Sequence, residues 1–318
     1  MTMQSLETGT RIAVVSGGRS TERERSLMSG RAAQESLTRQ GYSTVLLDAA
    51  DTSFANQIRS ADVAFLAIAG QYAEDGKLQG LLESLNIPYT GSGVTASAIG
   101  MHKALAKTVA VAAGITVLPS VVLPPRDRDT ITQAITSRIA FPLILKPLSE
   151  GGSIGMTVCH DTAELAAALS GVKATDGWFA EPFTTGTPVT CGILEVDGSV
   201  VALPPLETLP IDAEFYDYAT KRDKDRYRYR CPAELPTATL DAITDAALTA
   251  HRAIACTGYS RSDFIVTPAG PIWLEINTLP GLSRTGNLAT MADTAGIDYD
   301  QLVRTILATA TTHAGYRP

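Results

Sequence analysis

A chain of 318 residues with 45% hydrophobic and 19% charged content has the material for a sizeable core divided among two or three domains. Its net charge of −7 argues against a general partnership with nucleic acid or with acidic membrane surfaces, since both require a basic footprint. No apolar run approaches the roughly 18 residues that a bilayer span requires, and Met1 to Thr10 lacks an apolar leader, so a cytoplasmic location is expected.

Strand and helix patterns alternate from residue 11 to residue 100. Arg11 to Val15 reads as a strand, Thr21 to Thr38 as a helix, and Ser43 to Leu47 and Asp62 to Ile68 as further strands, which favours a parallel sheet wrapped by helices. Gly17 and Gly18 permit a tight strand-to-helix turn, and Thr21 with Glu24 has capping-box spacing. The glycine pair is not a GxGxxG fingerprint, so a dinucleotide-binding reading has little support. Helical composition over Ala96 to Ala113 gives way to a proline-flanked stretch, Leu118 to Pro125, that reads as a connection between domains. From Phe141 a short apolar strand carries Lys146 into Glu150-Gly151-Gly152-Ser153-Ile154-Gly155-Met156, and Trp178 to Phe183 forms the next strand. The last third has strands near Val189 to Val196, Val200 to Leu203, Asp263 to Thr267 and Ile272 to Ile276, with helices from about Thr239 to Cys256 and Asp300 to Thr312.

Cys159, Cys191, Cys231 and Cys256 are far apart and form no CxxC pair, so they are expected as buried thiols. His102, His160, His251 and His313 are equally scattered, which gives no support to a histidine metal site or a Ser-His-Asp triad. Asp263, Glu275 and Asn277 are a different matter. Two carboxylates and an amide, with Glu275 and Asn277 spaced i,i+2 on one strand face and Arg261 close by, suit a hard Mg²⁺ ion that takes its remaining ligands from phosphate and water. The plain alternative is a solvated strand edge. Lys146 and the glycine-rich turn after it could neutralise and cradle phosphate, or could form a hairpin turn with a surface lysine. Glu181-Pro182-Phe183 reads either as a hinge whose backbone meets an adenine edge or as an ordinary strand end.

These elements occur in an order and spacing that decide between the alternatives. The blocks Gly17-Gly18-Arg19-Ser20-Thr21-Glu22-Arg23-Glu24, Glu74-Asp75-Gly76-Lys77-Leu78-Gln79-Gly80 and Pro88-Tyr89-Thr90-Gly91-Ser92-Gly93 are followed by Met101-His102-Lys103, Leu145-Lys146-Pro147 with its glycine loop, Phe215-Tyr216-Asp217-Tyr218 and Leu274-Glu275-Ile276-Asn277-Thr278 with Pro280-Gly281. On these blocks the chain, from about residue 11 to residue 305, resembles the D-alanine–D-alanine ligase family of ATP-grasp enzymes.

The resemblance implies an α/β (α+β) chain with a three-domain ATP-grasp fold. Its expected parts are an N-terminal parallel-sheet domain over residues 1–101, a central ATP-grasp subdomain over 102–186 and a C-terminal subdomain over 187–318, which includes a lid at 211–235. It also implies roles. Asp263, Glu275 and Asn277 hold Mg²⁺, with Mn²⁺ as a substitute, while Lys103, Lys146, Lys221 and the loop at Gly151 and Ser153 contact ATP. Glu181 reads the adenine amino group, Glu22 binds the ammonium of the first amino acid, Arg261 and the Gly281 N–H stabilise an oxyanion, and Asn287 and Leu288 meet the second amino acid. A homodimer that binds neither nucleic acid nor membrane is the expected state.

Departures from the family pattern cluster at the amino-acid pocket. Gly152 and Arg222 stand where the family has a serine and a lid tyrosine, Ala69 replaces a histidine, and Pro188 replaces the glutamate that holds ribose hydroxyls. The lid run Lys221 to Arg230 is basic with interleaved tyrosines, a composition expected over triphosphate in a chain that is otherwise acidic. The expected reaction is ATP-driven joining of two amino acids through an acyl phosphate, with D-alanine as the default substrate. The alternatives are a specialised relative that ligates or cyclises another amino acid in antibiotic biosynthesis or self-resistance, and a catalytically silent nucleotide-binding protein.

Overall fold

The strand β1 (Arg11–Ser16) buries every residue after Arg11, as a strand covered on both faces must. The helix α1 (Arg23–Arg39) crosses over to β2 (Ser43–Asp48), and after the single turn α2 (Phe54–Gln57) the chain enters β3 (Val63–Leu66). These strands form a parallel sheet in the order β2-β1-β3. Gly30 lets α1 lie close on this sheet, because a Cβ there would collide with the side chain of Ser16. Three helices follow, α3 (Lys77–Ser84), α4 (Val94–Met101) and α5 (Lys103–Ala112). The computed structural model describes residues 9–123, 128–151, 155–172, 177–210 and 227–313.

A four-stranded antiparallel sheet comes next, with order β4-β7-β5-β6, built from β4 (Val121–Val122), β5 (Leu143–Pro147), β6 (Thr157–Cys159) and β7 (Trp178–Pro182). Helices α6 (Arg128–Thr136) and α7 (Thr162–Ser170) supply Ile131, Ile135, Leu165 and Leu169 to its core. The third sheet contains β8 (Thr187–Val196), β9 (Ser199–Ala202), β10 (Leu206–Pro210), β11 (Tyr227–Arg230), β12 (Tyr259–Thr267) and β13 (Gly270–Asn277). Helix α8 (Thr237–Ala253) packs on it, and α9 (Asn287–Thr294) and α10 (Tyr299–Ala308) follow. Helix α10 returns to α1, where Asp300 takes Ser36 Oγ at 2.7 Å and Arg39 Nη2 at 2.6 Å, so the two ends of the chain share one core.

Several local expectations are corrected. Helix α1 begins at Arg23 with Glu22 at its N-cap, and no side chain caps it; Ser20 Oγ donates instead to Ala69 O, so the Thr21 and Glu24 capping box does not form. The capping box lies at the start of α10, between Asp298 and Gln301. The single helix expected over 96–113 is broken at His102, whose extended backbone ends α4 and whose ring accepts from Leu105 N–H to start α5. The stretch from Leu118 to Pro125 contains β4, which pairs with β7.

The Gly17-Gly18 turn has positive φ at both residues, 70° and 83°, as its tightness requires. Asp48 closes it, accepting Gly18 N–H at 3.1 Å and pairing with Arg23 Nη2 at 2.6 Å. The Arg23 guanidinium holds the Asp48 carboxyl down to about 2, against an ordinary 3.8. A depressed carboxyl stabilises the fold above its unfolded value and loses that contribution as pH falls through its folded value. The stability gap between the unaltered protein and Arg23→Gln, measured by urea unfolding, should therefore be constant above about pH 4 and close as pH falls toward 2. A gap independent of pH across that window would count against the pairing.

Candidate active site

The register of β12 on β13 assembles the acidic group. Asp263 pairs directly with Glu275, and Arg261 pairs with Asn277. A bulge follows Asp263, because Phe264 pairs with Trp273 and leaves Leu274 as the extra residue. That extra residue lets Trp273 enter the core while Glu275, only two positions on, faces a cleft. The cleft holds about 720 Å³ and is lined by all three sheets or their connections.

Arg261 organises the cleft wall of the third sheet. Its Nε and Nη2 donate to the two oxygens of Asp263 at 2.8 and 2.9 Å, and its Nη1 reaches Asn287 Oδ1 at 3.5 Å. The Asn277 amide oxygen accepts from Arg261 Nη2 at 2.7 Å, which turns its nitrogen toward Glu74 Oε1 at 2.6 Å. Burial opposes the Arg261 charge, but the Asp263 carboxylate outweighs it and holds the guanidinium above its ordinary value. Thr190 Oγ1 adds a bond to Asp263 Oδ1 at 2.7 Å. Across the cleft, Lys103 Nζ lies 3.0 Å from Glu275 Oε2 and donates to Glu150 O at 2.6 Å, so it ties the second sheet's loop to the third sheet.

Lys146 on β5 and Lys107 on α5 both pair with Glu181 on β7, whose carboxylate is 1% exposed. Burial disfavours that carboxylate, yet the two lysines overcome it and lower its pKa. At the far end stands Glu22 with Arg25 at 4.0 Å. A Cβ on Gly151 would come within 2.5 Å of Glu22 Oε2, so the glycine is what lets this carboxylate sit against the loop. Glu74 lies behind, and burial together with the nearby Glu22 charge pushes its carboxyl up to about 8.

The structure thus brings together Glu22, Lys103, Lys146, Glu181, Arg261, Asp263, Glu275, Asn277, Gly281 and Asn287 as lining of one cleft. Gly151 borders it through Glu22. Two expectations change. Leu288 is fully buried in the core beneath β8, where it packs over Gly192, because the second residue of α9 points inward; its side chain is not on the cleft wall. Residues 227–230 of the expected lid form β11, a strand paired with β10. Gly152, Ser153, Lys221 and Arg222 lie outside the described residues. The side chains that sequence reasoning passed over are Lys107 and Thr190, with Glu74 read only as part of a motif. Lys107 had a signal, since it stands four residues after Lys103 on the same helix face. Thr190 had none short of the strand register.

Two carboxylates, an amide and an arginine on one wall, opposed by lysines on the other, provide oxygen donors for a hard cation and positive charge for phosphates. Among the described residues no group of three or more His, Cys, Asp or Glu side chains is placed to hold a metal ion. A cleft of this kind between two antiparallel sheets, with a parallel sheet at its end, defines an ATP-grasp ligase. The family models "D-ala D-ala ligase N-terminus" and "D-ala D-ala ligase C-terminus" match residues 48–92 and 109–308. The D-alanine–D-alanine ligase of Anaeromyxobacter sp. (strain K) is 41% identical over 304 residues, covering 94% of this chain and 96% of that one. Among solved structures, the Bacillus anthracis D-alanine–D-alanine ligase complexed with ATP superposes with a TM-score of 0.81 at 32% identity, covering 95% of this chain and 97% of that one. A D-Ala:D-Ser ligase from Enterococcus faecalis superposes with a TM-score of 0.80 at 25% identity, covering 94% and 99%. The chain belongs to the D-alanine–D-alanine ligase family.

The lysine pair on Glu181 has a measurable consequence. Lys107→Met leaves a buried carboxylate with one cation in place of two and should destabilise the protein by about 2–4 kcal/mol in urea unfolding. A loss below about 1 kcal/mol would show that Lys146 alone compensates Glu181.

Proposed function

We propose that this chain forms a dipeptide from two small amino acids by way of an acyl phosphate, with D-alanine as the default substrate. The observation that carries the reading is the cross-strand pair Asp263 and Glu275, fixed by Arg261 and faced by Lys103 and Lys146. Phosphoryl transfer asks a protein mainly for positioning and charge neutralisation, and this constellation supplies both without a nucleophilic side chain.

Asp263, Glu275 and Asn277 would hold Mg²⁺, and their hard oxygens on one cleft wall fit that ion. When bound, the ion neutralises phosphate charge and draws the triphosphate into line. Lys103 and Lys146 meet phosphate oxygens, Lys146 turning from Glu181 to do so, while Glu181 and the hinge after it meet the adenine edge. By the family resemblance Lys221, which lies outside the described residues, would meet the γ-phosphate. Glu22 holds the ammonium of the first amino acid so that its carboxylate faces the phosphoryl group. Arg261 and the Gly281 N–H take the charge on the tetrahedral oxygen when the second amine attacks, and Asn287 holds the second carboxylate. The three units 1–101, 102–186 and 187–318, a homodimer and a cytoplasmic location belong to the same reading.

A specialised substrate is the second reading. Ala69 and Pro188 both line the cleft and offer no side-chain hydrogen bond, so the pocket differs where a first amino acid and a ribose would lie. A phosphate-release screen across D- and L-amino acids tests both. Release that depends on D-alanine supports the default, release driven only by another amino acid supports the specialised relative, and no release with any amino acid sinks both.

Two variants sharpen the assignment. Glu275→Gln should abolish turnover and leave the melting temperature within a few degrees; near-normal activity would remove Glu275 from the metal site. Gly151→Ala displaces the end of a flexible side chain, so it should cost little stability but raise KM for the first amino acid by about tenfold through Glu22. An unchanged KM would separate Glu22 from ammonium binding.

A further inference from the structure

The segment after Pro280 runs from the third sheet to α9 without regular structure, yet one of its residues is gripped on both sides. Leu282 N–H donates to Ser29 Oγ at 3.1 Å, and the Tyr299 hydroxyl donates to Leu282 O at 2.5 Å. Ser29 and Leu282 are 3% and 1% exposed, so water does not compete for the bond between them. The Arg284 guanidinium stacks 4.4 Å from the centre of the Tyr299 ring and fixes the phenol from its outer face. Burial also raises the Tyr299 pKa, which keeps the hydroxyl a donor.

The two partners belong to one rigid support. Ser29 lies about two turns along α1 from Glu22, and Tyr299 is the first residue of α10, whose Asp300 is bonded to Ser36 and Arg39 of α1. Gly281 sits between Pro280, which has a fixed φ, and the pinned Leu282 peptide, and its freedom is correspondingly small.

We infer that Ser29 and Tyr299 are positioning residues, which hold the Leu282 peptide and through it aim the Gly281 N–H at the oxyanion of the tetrahedral intermediate. This inference rests on the ligase reading above. A donor stabilises a transient charge most when it need not reorganise, and a displacement of about 1 Å in such a site can lower a rate by about a hundredfold.

The test uses the full chain with Tyr299→Phe, Ser29→Ala and the double variant. Each single change should lower kcat by about tenfold, weaken binding of a phosphinate dipeptide analogue of the tetrahedral intermediate by the same factor, and leave KM for ATP within about twofold. Amide hydrogen exchange should quicken over residues 281–286 and not elsewhere. Unchanged kcat and phosphinate affinity in both single variants, with the unaltered protein active, overturns the inference alone. A parallel loss in kcat, KM for ATP and melting temperature overturns it as well, since that marks general loosening. Absence of dipeptide formation by the unaltered protein overturns the ligase reading and this inference with it.

Discussion

The partly buried positive charge of Arg261 is the constraint on which the cleft depends. A guanidinium largely withdrawn from water needs acceptors around it, and here they come from Asp263, Asn277 and Asn287, three separate points of the chain. Because the arginine can only donate, it sets which way the Asn277 amide lies, and that amide in turn reaches Glu74 in the N-terminal third. A lysine at this position would offer one charged point in place of a planar fork and could not hold these groups in one arrangement.

The opposite wall follows the same logic with the signs exchanged. Glu181 is an anion enclosed by two lysines, and Lys103 bridges to Glu275, so each wall carries groups that are compensated before any ligand arrives. Polyvalent ligands suit such a site because they replace existing partners without stripping water from bare charges. ATP use by this family agrees with that arrangement.

Much of the fold was legible because the local signals were strong. The apolar run at β1 and the glycines after it mark a buried parallel strand and its turn, and both are present. What stayed hidden depended on contacts between distant segments. His102 ends one helix and caps the next through its ring, a role no periodicity reveals in a continuous helical composition. The spacing of Glu275 and Asn277 was readable, whereas their alignment with Asp263 and Arg261 required the pairing of two strands. The direction of the Leu288 side chain was not readable, because a motif names a residue but does not say which way the helix turns it. Lys107 and Tyr299 act through Glu181 and Leu282, partners far away in sequence.

The single surplus residue in β13, Leu274, decides which side chains this strand turns to the cleft. In an unbroken strand, Trp273 and Glu275 would point the same way, one of them stranded on the wrong side of the sheet. The bulge resets the alternation, so that Leu274 and Glu275 both line the cleft, Ile276 returns to the core and Asn277 faces the cleft again.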